Sequence, residues 1–187
     1  MRLLAISGSL RADSHNTRLL RIAAEEAPAG VEIDIYDGLA NIPPYDADLD
    51  TTPAPGPVSE LRELIAEADG LIFATPEYNS SIPGVLKNAI DWASRPRATT
   101  PLAGKPAAVM GATTGQFGAV WAQAELRKVL GSTGARVLDS EVALALADEV
   151  FDKQGNLADD ATLEAIRALV GAVVAEAERD RDLALAA

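Results

Sequence analysis

Runs of uniformly apolar residues alternate along the chain with stretches whose apolar positions recur every three to four residues, and this predicts strands alternating with helices. Leu3 to Ser7 reads as a strand. Thr17 to Ala27 sets Leu19, Leu20, Ile22, Ala23 and Ala27 at helical spacing, with Pro28 and Gly30 ending the helix. Val31 to Tyr36 alternates apolar and acidic residues, as a strand near a sheet edge with one exposed face would. Asp37 to Pro57 holds five prolines among Asp and Thr. It is therefore predicted to lack regular structure and to be the longest loop, serving as a lid, a binding wall, a subunit contact or a surface excursion. Val58 to Ala68 returns to helical spacing through Leu61, Leu64, Ile65 and Ala68, and Leu71 to Thr75 is an apolar strand of the buried parallel kind. Pro83 opens a helix carrying Val85, Leu86, Ala89, Ile90 and Ala93 on one face, ended by Arg95 and Pro96. A buried strand follows at Pro106 to Ala112, then a helix near Ala119 to Leu130, a strand of weaker pattern near Arg136 to Val142, and an amphipathic helix from Asp160 to Arg179 that turns Leu163, Ile166, Leu169, Val170, Val173 and Val174 inward.

Strands alternating with helices, without an internal repeat, predict an α/β fold with a parallel sheet covered by helices on both faces. The common doubly wound order for five strands is 2-1-3-4-5, which places a ligand site between the carboxyl ends of strands 1 and 3. That order brings together two loops of unusual composition, SGSLRADSHN after strand 1 and TPEYNSSIPG after strand 3. The 187 residues, 48% of them hydrophobic, suit a single domain spanning 1–187.

Charge and rare residues narrow the chemistry. With 28 acidic against 16 basic residues the net charge is −12, which argues against nucleic acid or an anionic membrane as partner and requires any anion to be held by local donors. There is no cysteine, and His15 is the one histidine, so thiol chemistry, zinc clusters and iron–sulfur ligation are excluded. A Ser-His-Asp hydrolase would have to use His15, adjacent to Ser14, and the triad needs its members to meet from separate positions. His15 is read instead as a loop side chain facing solvent or ligand. Redox chemistry would need a bound organic cofactor. The first apolar run is too short for a signal-peptide core and no apolar run reaches membrane-spanning length, so a cytoplasmic location is expected.

The first loop delivers Gly8, Ser9, Arg11, Ser14 and Asn16 to the start of a helix, where free amides, hydroxyls, one guanidinium and the positive end of the helix dipole suit a single terminal phosphate. An N-capped polar turn has the same composition. In the second loop Pro76 and Pro83 stiffen the chain around Glu77, Tyr78 and Asn79, so a flat heteroaromatic ring could lie there. Alternatively Tyr78 covers the end of the sheet and Glu77 faces solvent. The third loop, GATTGQFG, has Gly111, Gly115 and Gly118, which allow close backbone approach to a ligand. Neither a G-x-G-x-x-G fingerprint nor a Walker loop occurs. Ser7, Gly8 and Ser9 stand where a phospho-accepting receiver domain would carry its acidic pair.

GSLRADSHNTRL together with TPEYNSSIPGVLKNAIDWASR closely resembles the NADPH-dependent FMN reductase family, a flavodoxin-like group that includes bacterial quinone and chromate reductases. The resemblance implies that FMN is bound and that NADPH or NADH supplies hydride, which passes through the flavin to a quinone or another small-molecule electron acceptor by ping-pong kinetics. It implies that Ser9, Arg11, Ser14 and Asn16 hold the FMN phosphate, that Pro76, Glu77, Tyr78 and Asn79 lie along the isoalloxazine, and that Thr113, Thr114 and Gly115 meet its pyrimidine side. It also implies a homodimer or homotetramer, with the helix carrying Lys87, Asp91 and Trp92 as an interface. The third loop departs from the family's Ser/Gly-rich pattern at Thr113, Thr114, Gln116 and Phe117, and Phe117 is a candidate for shaping the substrate pocket. A flavodoxin-type electron carrier and a non-enzymatic FMN-binding module are the alternatives.

Overall fold

The apolar runs become strands because helices cover the sheet on both sides. A computed structural model describes residues 1–152 and 154–186. Strands β1 (Arg2–Ser7), β2 (Glu32–Tyr36), β3 (Gly70–Ala74), β4 (Pro106–Ala112) and β5 (Arg136–Leu144) form one parallel sheet in the order β2-β1-β3-β4-β5. Strand β1 lies inside it, with Ile6 opposite Tyr36 on one side and Phe73 on the other. Every residue of β3 and β4 is buried, as expected for strands enclosed on both faces.

Side chains of successive strand residues point to opposite faces and enter two cores. Leu4, Ile6, Leu71, Phe73 and Val109 pack against α2 (Gly56–Glu67), α3 (Gly84–Ala93) and α4 (Val120–Ser132). Leu3, Ala5, Ile72, Ala108 and Met110 pack against α1 (His15–Glu25) and α6 (Asp160–Ala186). A further short helix, α5 (Ala147–Val150), follows β5 and has no counterpart in the sequence pattern. Ala27, Leu64, Val85, Leu163 and Val174, expected inside, sit half-buried at the margins of these cores. Helix α6 runs beyond Arg179, and its last turn leaves Leu183 and Leu185 exposed. No helix of the described residues is long and apolar enough to cross a membrane.

Segment 37–57 differs from expectation in two ways. It contains two short 3-10 turns, Gly38–Asn41 and Ala47–Leu49, because such turns close with local bonds that leave room for the surrounding prolines. It is also fastened to the domain. The Asn88 amide and the Trp92 indole both donate to the Pro43 carbonyl at 2.8 Å, the Tyr45 N–H donates to Asn88 Oδ1, and Arg62 bridges Asp50 to the Trp92 carbonyl. The Trp92 side chain is thus fully buried against its own chain, on the inner side of α3. Lys87 and Asp91 pair with each other on the surface of α3.

The weak pattern of β5 also has a structural cause. Its register against β4 shifts between Ala107 and Val109, and the Arg127 guanidinium enters the irregularity to donate to the carbonyls of Leu138, Val109 and Ser140. Burial pulls the Arg127 pKa down from its ordinary value. A bulged strand interrupts the strict alternation by which strands are recognised.

Candidate functional site

Loop residues 8–14 leave β1 and turn sharply, with the Gly8 N–H donating to the Ala74 carbonyl at 2.8 Å. A Cβ on Gly8 would lie 3.0 Å from Leu86 Cδ2 and 3.3 Å from Pro76 Cδ, so this loop passes directly against the loop after β3. Ser14 is the N-cap of α1, its hydroxyl accepting from the Thr17 N–H. Ser7 Oγ accepts from the Ser9 N–H and the Thr17 hydroxyl, and Ser9 Oγ accepts from the Arg11 N–H. Arg11 donates to the Asp13 carbonyl and has no carboxylate partner among the described residues. The first amides of α1 have no acceptor within the helix. Together these gather hydroxyl, amide and guanidinium donors in one corner.

Two of the predicted residues also carry hydrogen bonds within the fold that the sequence pattern does not show. Asn16 is buried, and its amide faces the backbone of Ala112, donating to the carbonyl at 3.0 Å and accepting from the N–H at 2.9 Å. The amide expected to reach a phosphate therefore clamps α1 to the end of β4. His15 lines the cleft between the three loops, as expected of a side chain facing a ligand, while its Nε2 lies 2.8 Å from Asp148 Oδ1 and its ring stacks on Phe151 with centroids 5.4 Å apart. It ties the first turn of α1 to α5.

In the second loop, Tyr78 and Ser81 exchange backbone hydrogen bonds across Asn79 and Ser80, whose φ values of 54° and 59° give a two-residue turn with both central residues left-handed. Asn tolerates that conformation better than most residues. Glu77 is not left in solvent. Its Oε2 accepts from the Ala122 N–H at 3.2 Å, supplying a cap to α4, whose own N-cap position is held by Ala119 with no side-chain acceptor. The Ser81 hydroxyl donates to Glu125 on the same helix, so loop and helix form one wall.

The third loop is held from behind. Thr113 N–H donates to Leu144 O, while Ala147 and Leu146 N–H donate to the carbonyls of Thr113 and Gly115. Gln123, which the sequence pattern did not single out, donates from Nε2 to Gly118 O at 2.9 Å and keeps its buried Oε1 without a partner. A polar side chain on a helix carries no signal of such a role until the loop above it is placed. Phe117 packs edge-on against Trp121, with centroids 5.0 Å apart, and both stay largely exposed; neither lines the cleft.

Ser9, Arg11, Ser14, Asn16, Pro76, Glu77, Tyr78, Thr113 and Thr114 line one cleft of about 200 Å³. Asn79 stands on the exposed tip of its turn and Gly115 on the outer part of the third loop, outside that lining. Its lining combines the donors of the first loop and α1 with the Tyr78 ring and the backbone of the third loop. No group of acidic or histidine side chains among the described residues could hold a metal ion.

A family model described as NADPH-dependent FMN reductase matches residues 1–149. An NAD(P)H-dependent FMN reductase of Pseudomonas aeruginosa is 46% identical over 168 residues, which cover 89% of this chain and 90% of that protein. A quinone reductase of Escherichia coli is 37% identical over 167 residues, covering 88% of each. Among solved structures, FerB, a flavoenzyme NAD(P)H:(acceptor) oxidoreductase from Paracoccus denitrificans, superposes with a TM-score of 0.86 at 35% identity, covering 95% of this chain and 97% of its own.

Proposed function

The chain belongs to the NADPH-dependent FMN reductase family, and on that premise we propose that it binds FMN in the cleft between the loops after β1, β3 and β4 and passes reducing equivalents from NAD(P)H to a quinone or similar small acceptor. The observation that carries the proposal is the meeting of those three loops around one cleft, with Arg11, Ser9 and Ser14 in the same lining as Tyr78. The residues fit the group. Arg11 offers a guanidinium without a carboxylate partner, Ser9 and Ser14 offer hydroxyls, and the first turn of α1 offers amides, as a terminal phosphate requires.

When bound, FMN would supply the redox chemistry, accepting hydride from the nicotinamide and returning two electrons to the acceptor. The protein's part is binding, orientation and exclusion of water. Ser9, Arg11 and Ser14 would hold the phosphate, and Asn16 would position them by keeping α1 against β4. Pro76, Glu77, Tyr78 and Asn79 would flank the ring, with Glu77 fixing their wall to α4. Thr113, Thr114 and Gly115 would meet the pyrimidine side of the ring from a loop that Gln123 braces. Donor and acceptor would use the same cleft in turn, in ping-pong order. A homodimer or homotetramer would give the exposed Phe117 and Trp121 a partner to cover them.

Purified protein loaded with FMN should show a flavin spectrum that bleaches on anaerobic addition of NADPH or NADH and recovers on addition of a benzoquinone. Initial rates against both substrates should give parallel double-reciprocal lines, and light scattering should report a mass above the monomer's. Protein that binds no FMN, or that binds it yet oxidises neither nucleotide, would overturn the proposal. Bleaching only in the presence of a separate reductase would favour an electron carrier.

A further inference from the structure

A second cleft, of about 390 Å³, opens beside the first, between the loop after β1, helix α1 and the carboxyl end of β2. Its walls differ in chemistry. Leu10, Ile35 and Leu39 are apolar, while Arg11, Arg21 and Asp37 supply charge. Arg21 follows Thr17 by one helical turn, which puts both on the same face of α1, and Thr17 lines the same cleft. Neither Arg11 nor Arg21 has a carboxylate within 4.0 Å among the described residues. In a chain with 28 acidic and 16 basic residues, two guanidinium groups left without carboxylates around one cleft mark a place for an external anion.

The combination selects a phosphorylated nucleoside. The apolar wall suits a base, Asp37 can accept from sugar hydroxyls, and a guanidinium offers paired donors to a phosphate. The sheet order puts this cleft over β2, and the wall that Tyr78, Thr113 and Thr114 give the first cleft over β3 and β4. Two to three strand spacings, roughly 10–15 Å, separate them, a distance that an extended dinucleotide spans. Resting on the reading of the chain as an NAD(P)H-dependent FMN enzyme, we propose that the second cleft seats the 2′-phosphoadenosine end of NADPH and that Arg21 reads the 2′-phosphate. Arg11 borders both clefts, whereas Arg21 does not line the one assigned to FMN. Arg21 is therefore the residue that separates nucleotide selection from flavin retention.

The FMN-loaded wild type should use NADPH with a lower KM than NADH. Arg21→Ala should raise the KM for NADPH about tenfold or more, the scale of losing one charge-assisted contact, while kcat, the KM for NADH and the flavin content stay as they were. Arg21→Glu should invert the preference. Calorimetry on the same holoproteins supplies a second readout: adenosine 2′,5′-bisphosphate should bind the wild type and lose affinity in Arg21→Ala, whereas adenosine 5′-phosphate should be indifferent to the change. A wild type without preference for NADPH, or equal effects of Arg21→Ala on both nucleotides, would overturn the assignment. If neither nucleotide were oxidised, the proposed activity would fail, and the bisphosphate titration would still decide whether Arg21 reads that phosphate.

Discussion

The side chain of Asn16 and the backbone of Ala112 bond to each other twice across 96 residues, at 3.0 and 2.9 Å, and both groups are buried. Asn is the fitting residue because its amide matches a peptide unit donor for acceptor. Asn16→Ala would leave a buried N–H and a buried carbonyl unpaired, which should lower stability by about 2 to 4 kcal/mol. Urea unfolding followed by far-ultraviolet dichroism would measure it. A loss well under 1 kcal/mol would mean that water replaces the clamp.

The Arg11 guanidinium makes one hydrogen bond among the described residues, to the Asp13 carbonyl, so its removal leaves little of the fold unsatisfied. Arg11→Ala should weaken FMN binding roughly ten- to hundredfold beyond any effect on riboflavin, which lacks the phosphate. Fluorescence titration with the two flavins makes the comparison, and equal losses would assign Arg11 a structural role.

Gly118 has φ +58°, and a Cβ there would lie 2.5 to 2.9 Å from the backbone of Ala143. Backbone cannot step aside as a side-chain tip can, so Gly118→Ala should destabilise the protein by about 2 kcal/mol or more and displace the third loop that Gln123 holds. Gly115→Ala is the control, since the nearest atom to its Cβ is the Thr113 Oγ1 at 3.6 Å. Thermal melts of the two variants should separate clearly, and similar melting temperatures would show that the loop rearranges freely.

Tyr36 lies over Gly38 with its hydroxyl buried and unpartnered, and burial, helped by the nearby Glu60 and Asp37, pushes its pKa up to about 12 from 10.0. The folded state therefore holds this proton more tightly than the unfolded state. The associated stability is complete below pH 10 and is lost as pH rises toward 12. Tyr36→Phe should show a shallower fall in urea midpoint across that interval. At pH 7 it should match or exceed the wild type by up to about 1 kcal/mol, because the unpaired hydroxyl is gone. A steeper alkaline loss in the variant would contradict the assignment.

The order of strands and helices was written in the residues themselves, because burial on one face or two imposes a period that each segment carries locally. Leu71 to Thr75 and Pro106 to Ala112 declared buried parallel strands, and the doubly wound order then paired the loops that hold Arg11 and Tyr78. The capped turn at the start of α1 was legible too, because hydroxyl residues beside a helix start are a local signal. What each polar side chain bonds to was not. Asn16, His15, Glu77 and Trp92 carry groups that serve a ligand, a partner subunit or a distant backbone equally well. Tertiary packing gave them Ala112, Asp148, the first turn of α4 and the Pro43 carbonyl. It also bent β5 around Arg127 and pinned segment 37–57 to α3. Periodicity belongs to a segment and can be read along it, whereas a hydrogen-bond partner belongs to a place in space, and only the folded chain decides which distant residue arrives there.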